Sequence, residues 1–80
     1  MEYIEVVRPV TDDVRRIVLG TFREGRIYTA TDVRLRCGDI GKHFLERDVK
    51  SILSSMCKRG LIRCLPATHN GEVRFYELVQ

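Results

Sequence analysis

The sequence predicts a single α+β domain: a three-helix bundle with a short strand between its first two helices and a β-hairpin at its C-terminal end. Three observations predict it. Apolar residues recur at helical spacing in three stretches that carry helix start and stop residues. An Asn-Gly pair separates two apolar-rich runs late in the chain. The length of 80 residues suits one domain and not two.

Taken in order, Tyr3 to Val10 form an apolar-rich lead with Pro9 near its end, expected as a strand or an extended arm over residues 1–10. The domain proper is expected over 11–80. Thr11 is a candidate N-cap, and Asp12 and Asp13 follow where the helix dipole favours acids. Val14, Ile17, Val18 and Phe22 share one helical face, and Gly25 is a candidate stop, which predicts a first helix over about 12–24. Leu19 lies off that stripe, as a second contact surface or as an ordinary exposed leucine. Ile27-Tyr28 is a very short strand candidate. Thr29 and Asp32 have the spacing of a capping box, opening a second helix over about 30–36 with Val33 inward and Gly38 as its end. Residues 39–45 are either a loop or a helical turn carrying Ile40 and Phe44.

The third helix, about 45–59, is the clearest element. Leu45, Val49, Ile52, Leu53 and Met56 fall within one narrow arc, and Lys58, Arg59 and Gly60 close it. Two strands are expected over 61–66 and 73–79, joined through Asn70-Gly71. Pro66 lacks a donor for a central strand and marks an edge or a bend at the strand end.

Composition excludes several classes. The hydrophobic fraction of 44% argues against disorder. No run approaches the ~20 apolar residues of a membrane helix. The start of the chain is acidic without a long apolar run, so no signal peptide is expected and the protein is expected in the cytoplasm. The cysteines, Cys37, Cys57 and Cys64, are odd in number and form no Cys-x-x-Cys pair. A zinc site is therefore disfavoured. Cys57 and Cys64 are expected as small, partly buried apolar residues, and one Cys–Cys pair within or between chains is left open. There is no Gly-rich phosphate loop, no His-x-x-x-His pair and no nucleophile with a local base, so the chain is expected to be no enzyme and to need no cofactor.

The net charge is +3, and its distribution is uneven. Residues 1–41 are neutral, with seven basic and seven acidic residues. Residues 42–63 hold six basic against two acidic, a net charge of +4. With its apolar arc inward, the third helix turns Arg47, Lys50, Ser51, Ser54 and Lys58 outward, with Glu46 and Asp48 to either side. This pattern suits double-stranded DNA. Arginine bonds guanine O6 and N7 in the major groove, lysine supplies charge to phosphates, and short serines let the helix axis approach the bases. The bland alternative is a solvated helix face.

The run Val49-Lys50-Ser51-Ile52-Leu53-Ser54-Ser55-Met56-Cys57-Lys58-Arg59-Gly60-Leu61-Ile62 resembles the recognition helix and first wing strand of winged-helix regulators of the multiple-antibiotic-resistance and arsenical-resistance types. The order of elements extends the resemblance to about residues 11–79. It implies a winged helix like those of small prokaryotic, archaeal or viral transcription regulators. It also implies that Arg47, Lys50 and Ser51, nearest the helix N-terminus, lie deepest in the groove. Lys42 and His43, just before that helix, then fall near phosphate or simply form a polar loop. In the wing, His69 and Asn70 at the tip and Arg63 and Arg74 on the strands are the residues for the backbone or minor groove. Thr31, Arg34 and Arg36 are further candidates for the backbone, with Asp32 and Asp39 as alternative partners for the two arginines.

Such regulators commonly bind paired half-sites as dimers. Tyr3, Ile4, Val6, Val7 and Val10 would pair across a homodimer or cover their own core. No effector pocket is evident. Because some winged helices bind proteins instead, a protein–protein interaction module without DNA binding is the competing expectation.

Overall fold

The computed structural model describes residues 2–66 and 73–79. Within them the chain runs α1 (Asp12–Leu19), α2 (Ala30–Asp39), α3 (Glu46–Lys58), β1 (Ile62–Pro66) and β2 (Arg74–Leu78). Three helices followed by an antiparallel pair make an α+β arrangement compatible with the expected fold.

Helix α1 starts as its sequence dictates. The Thr11 hydroxyl accepts from the Val14 N–H at 3.4 Å, and Asp12 and Asp13 occupy the first turn. It stops at Leu19 with Gly20 as C-cap, well before the expected residue 24. The cause lies in Thr21. Its hydroxyl and its N–H both donate to the Val18 carbonyl, while Phe22 N–H donates to Leu19, so the last carbonyls are taken up in a tight turn. Phe22 still reaches the core and packs edge-on against Tyr28, centroids 5.1 Å apart. Gly25 has φ +74° and serves the following turn, not the helix end. Leu19 is half-buried against the core.

Tyr28 and Tyr76 exchange both backbone hydrogen bonds, at 2.9 and 2.7 Å, so the expected short strand is a single rung on β2. Helix α2 then opens with the expected capping box: Asp32 N–H donates to the Thr29 hydroxyl, and Thr29 N–H to the Asp32 carboxylate. It runs through Gly38 to Asp39, longer than predicted. Gly41, at φ +79°, makes the stop. Gly41 N–H donates to the Gly38 carbonyl and Lys42 N–H to the Cys37 carbonyl, the reciprocal pair of a Schellman motif. Residues 42–45 form a loop. Phe44 is 1% exposed and sits among the largest core side chains, while Ile40 stays 59% exposed.

Helix α3 begins after Leu45, which acts as N-cap without a side-chain bond. Val49, Ile52, Leu53 and Met56 are all fully buried, and they join Val18, Val33, Cys37 and Phe44 as the centre of the core. The helix ends with the same motif as α2. Gly60, at φ +73°, donates to the Cys57 carbonyl and Leu61 to that of Met56. The hairpin register pairs Arg63 with Glu77, Cys64 with Tyr76 and Pro66 with Arg74. Pro66 thus ends β1, where its missing N–H costs least. The three cysteines are free: Cys37 is buried and Cys57 half-buried. Cys64 is exposed, contrary to its expected partial burial, although Tyr76 opposite it on the hairpin is buried.

The lead is an arm and not a strand. Ile4 N–H donates to the His43 carbonyl at 2.7 Å, and Ile4, Val6 and Val10 pack onto the chain's own core. Tyr3 and Val7 remain exposed.

Candidate nucleic-acid interface

The burial of Val49, Ile52, Leu53 and Met56 fixes which side of α3 faces out. Arg47, Lys50, Ser54 and Lys58 are exposed on that side, as expected from the arc. Ser51 is half-buried, and its hydroxyl accepts from Arg8 Nη2 at 2.8 Å. Among the described residues, Arg47, Lys50 and Lys58 have no carboxylate within 4 Å.

The acid at the start of α3 is engaged elsewhere. Glu46 accepts from the Thr31 hydroxyl at 2.6 Å and lies 3.6 Å from Arg34 Nε. The Thr31 hydrogen bond, helped by the charges of Lys50 and Arg34, holds its carboxyl below the ordinary value of 4.5. Thr31 and Arg34 are therefore occupied in joining α2 to α3, and Arg34 pairs with neither Asp32 nor Asp39. Arg36 is likewise a fold residue. Its Nε donates to the Thr21 carbonyl at 2.7 Å and its guanidinium lies 5.1 Å from the Tyr28 ring centre. Each of these three residues, expected as a candidate for backbone contact, has an internal partner on a neighbouring element.

A cleft of about 350 Å³ separates α3 from the hairpin. Thr29, Thr31, Glu46, Lys50, Ser54, Val73, Arg74 and Tyr76 line it, so Lys50 and Arg74 face one opening. Arg74 and Tyr76 share a hairpin face by strand alternation. Arg63 is different: it is bonded across the strands to Glu77 at 2.8 Å. Lys42 is exposed in the loop before α3. His43 is half-buried beside Gly38 and lines a separate shallow cleft with Tyr3, Leu35 and Asp39. His69 and Asn70 lie outside the described residues.

Sequence reasoning missed the other flank of α3. There the N-terminal segment lays Arg8 on Ser51, and Arg15 Nη1 donates to the Ser55 hydroxyl at 3.0 Å. Arg15 is 5% exposed and also donates to the Val10 carbonyl and the Asp12 carboxylate. That ion pair holds the Asp12 carboxyl below its ordinary range. The contacts to Ser51 and Ser55 span forty or more residues, and no local spacing signals them.

Among the described residues, no three His, Cys, Asp or Glu side chains converge as a metal site would require, and no helix is long and apolar enough to cross a membrane. Burial pushes the Cys37 and Cys57 thiols up, away from the reactive thiolate. No family model matches this chain, and neither does any curated protein or solved structure.

Proposed function

We propose that this domain is a winged helix that binds double-stranded DNA as a transcription regulator. Helix α3 lies in the major groove and the hairpin lies along the backbone or minor groove. The observation that carries this reading is the exposed cationic face of α3, which makes no ion pair among the described residues. Arg47, Lys50 and Lys58 stand in solvent with no carboxylate within 4 Å among the described residues; Glu46, whose charge Lys50 feels, is itself bound to α2. Phosphate neutralisation dominates affinity for a duplex, and it needs cations that the fold has not already paired. The cleft shared by Lys50 and Arg74 supports a hairpin that meets the same ligand as the helix.

The test is a titration of the protein with mixed-sequence duplex, followed by fluorescence anisotropy at two or more salt concentrations. Binding that weakens linearly on a log–log plot is expected, with a slope of roughly −0.9 for each phosphate engaged. Arg47→Ala is expected to weaken binding to a selected site. If the wild-type protein does not bind at low salt, the face belongs to solvent or to a protein partner.

A further inference from the structure

The N-terminal arm and α1 each place one arginine on the same flank of α3, and the two have different fates. Arg15 is buried and held by three acceptors from Val10, Asp12 and Ser55. Arg8 is exposed and makes one side-chain hydrogen bond among the described residues, to Ser51. No carboxylate among them lies within 4 Å of it. A guanidinium carries five N–H donors, so a single bond to a neutral hydroxyl leaves most of its capacity and all of its charge unanswered.

Ser51 lies one helical turn from Arg47, so Arg8 stands beside the outward face of α3. The opposite flank of α3 borders the hairpin, where Lys50 shares its cleft with Arg74. A cation from another element therefore stands on each side of this helix. A helix with its side chains measures about 10–12 Å across, and the major groove is about 12 Å wide. Elements that flank a helix seated in the groove thus meet the two phosphate backbones that wall it.

We infer that Arg8 is a phosphate-binding residue of the duplex interface, and that it engages the backbone opposite the one faced by Lys50 and Arg74. This rests on the duplex-binding reading of α3. The arm is then part of the binding surface and not only a cover for the core.

The experiment is a salt series of anisotropy titrations on wild type, Arg8→Ala, Arg8→Lys and Arg47→Ala, with melting temperatures as a folding control. Arg8→Ala is expected to reduce the steepness of the log–log salt plot by about 0.9 and to weaken binding roughly five- to tenfold, equally for different duplex sequences. Arg8→Lys restores most of the slope, because phosphate accepts a point charge. An unchanged slope in Arg8→Ala, with Arg47→Ala impaired, overturns the role of Arg8 and leaves the reading of α3 intact. Absence of binding by wild type at low salt overturns both.

Discussion

Helix α2 carries Arg34 and Arg36 in its later turns, and α3 carries Arg47, Lys50 and Lys58. Both helices carry acidic residues as well, Asp32 and Asp39 on α2 and Glu46 and Asp48 on α3. In space they differ. Arg34 meets Glu46, and Arg36 is clasped between the Thr21 carbonyl and the Tyr28 ring. The cations of α3 have no such partners among the described residues. The same contrast separates Arg15 from Arg8 in the N-terminal region. The difference teaches that the count of charges along a helix says little about a site. What matters is which charges the fold has left unanswered.

The contrast presupposes that α2 and α3 are seated as described, and the thiols test that seating. Cys37 of α2 is fully buried, Cys57 of α3 is half-buried and Cys64 is exposed. Alkylation followed by mass spectrometry should therefore modify Cys64 first, Cys57 next and Cys37 last. Cys37 should be slower than Cys64 by on the order of a thousandfold or more, since it reacts only on unfolding. Comparable rates at Cys37 and Cys64 would mean that α2 is not seated as described.

Arg36→Ala comes next in size. It removes a charge-assisted hydrogen bond and a cation–π contact, and is expected to destabilise the fold by about 2 kcal/mol in chemical denaturation. The folded fraction should bind duplex as wild type does. Arg47→Ala is the mirror case. It should leave stability within about 0.5 kcal/mol of wild type and lower duplex affinity about tenfold. If the two variants exchange these phenotypes, the division between fold cations and binding cations is wrong.

The smallest effect concerns acid. The folded-state carboxyls of Glu46 and Asp12 lie below their ordinary values of 4.5 and 3.8. The unfolded chain therefore takes up those protons first. The stabilisation is whole above the ordinary values and fades as pH falls through the lower folded ones. Glu46→Gln should lower the melting temperature slightly at neutral pH, and the difference from wild type should close well below pH 4.5.

The legible parts of the sequence were those whose signals are local. Thr11, Thr29 and the buried stripe of α3 each act within a turn or two, and each stands where the spacing puts it. The end of α2 shows why other parts were not legible. Gly38 and Gly41 are both plausible stops by residue type, but only Gly41 takes the left-handed conformation that lets Lys42 reach back to Cys37. The early end of α1 depends on a threonine hydroxyl competing for a carbonyl. Phe44 reaches the core from a loop with no periodicity to announce it. In the candidate site the outward arc of α3 was readable. The occupation of Thr31, Arg34 and Arg36, and the arrival of Arg8, are tertiary events that no window of sequence contains.

Gly60 closes α3 with positive φ, and β1 begins at Ile62, so one residue lies between that turn and the first strand. Leu61 is fastened on both sides, its N–H to Met56 and its carbonyl to Val79 at 3.3 Å. Helix and hairpin are thereby joined through one residue that is hydrogen-bonded to both. If a ligand is held between them, so short a connection lowers the entropy cost of arranging the two elements around it. On the duplex-binding reading, a duplex whose grooves match the spacing of the two elements would then bind with less deformation than one that does not.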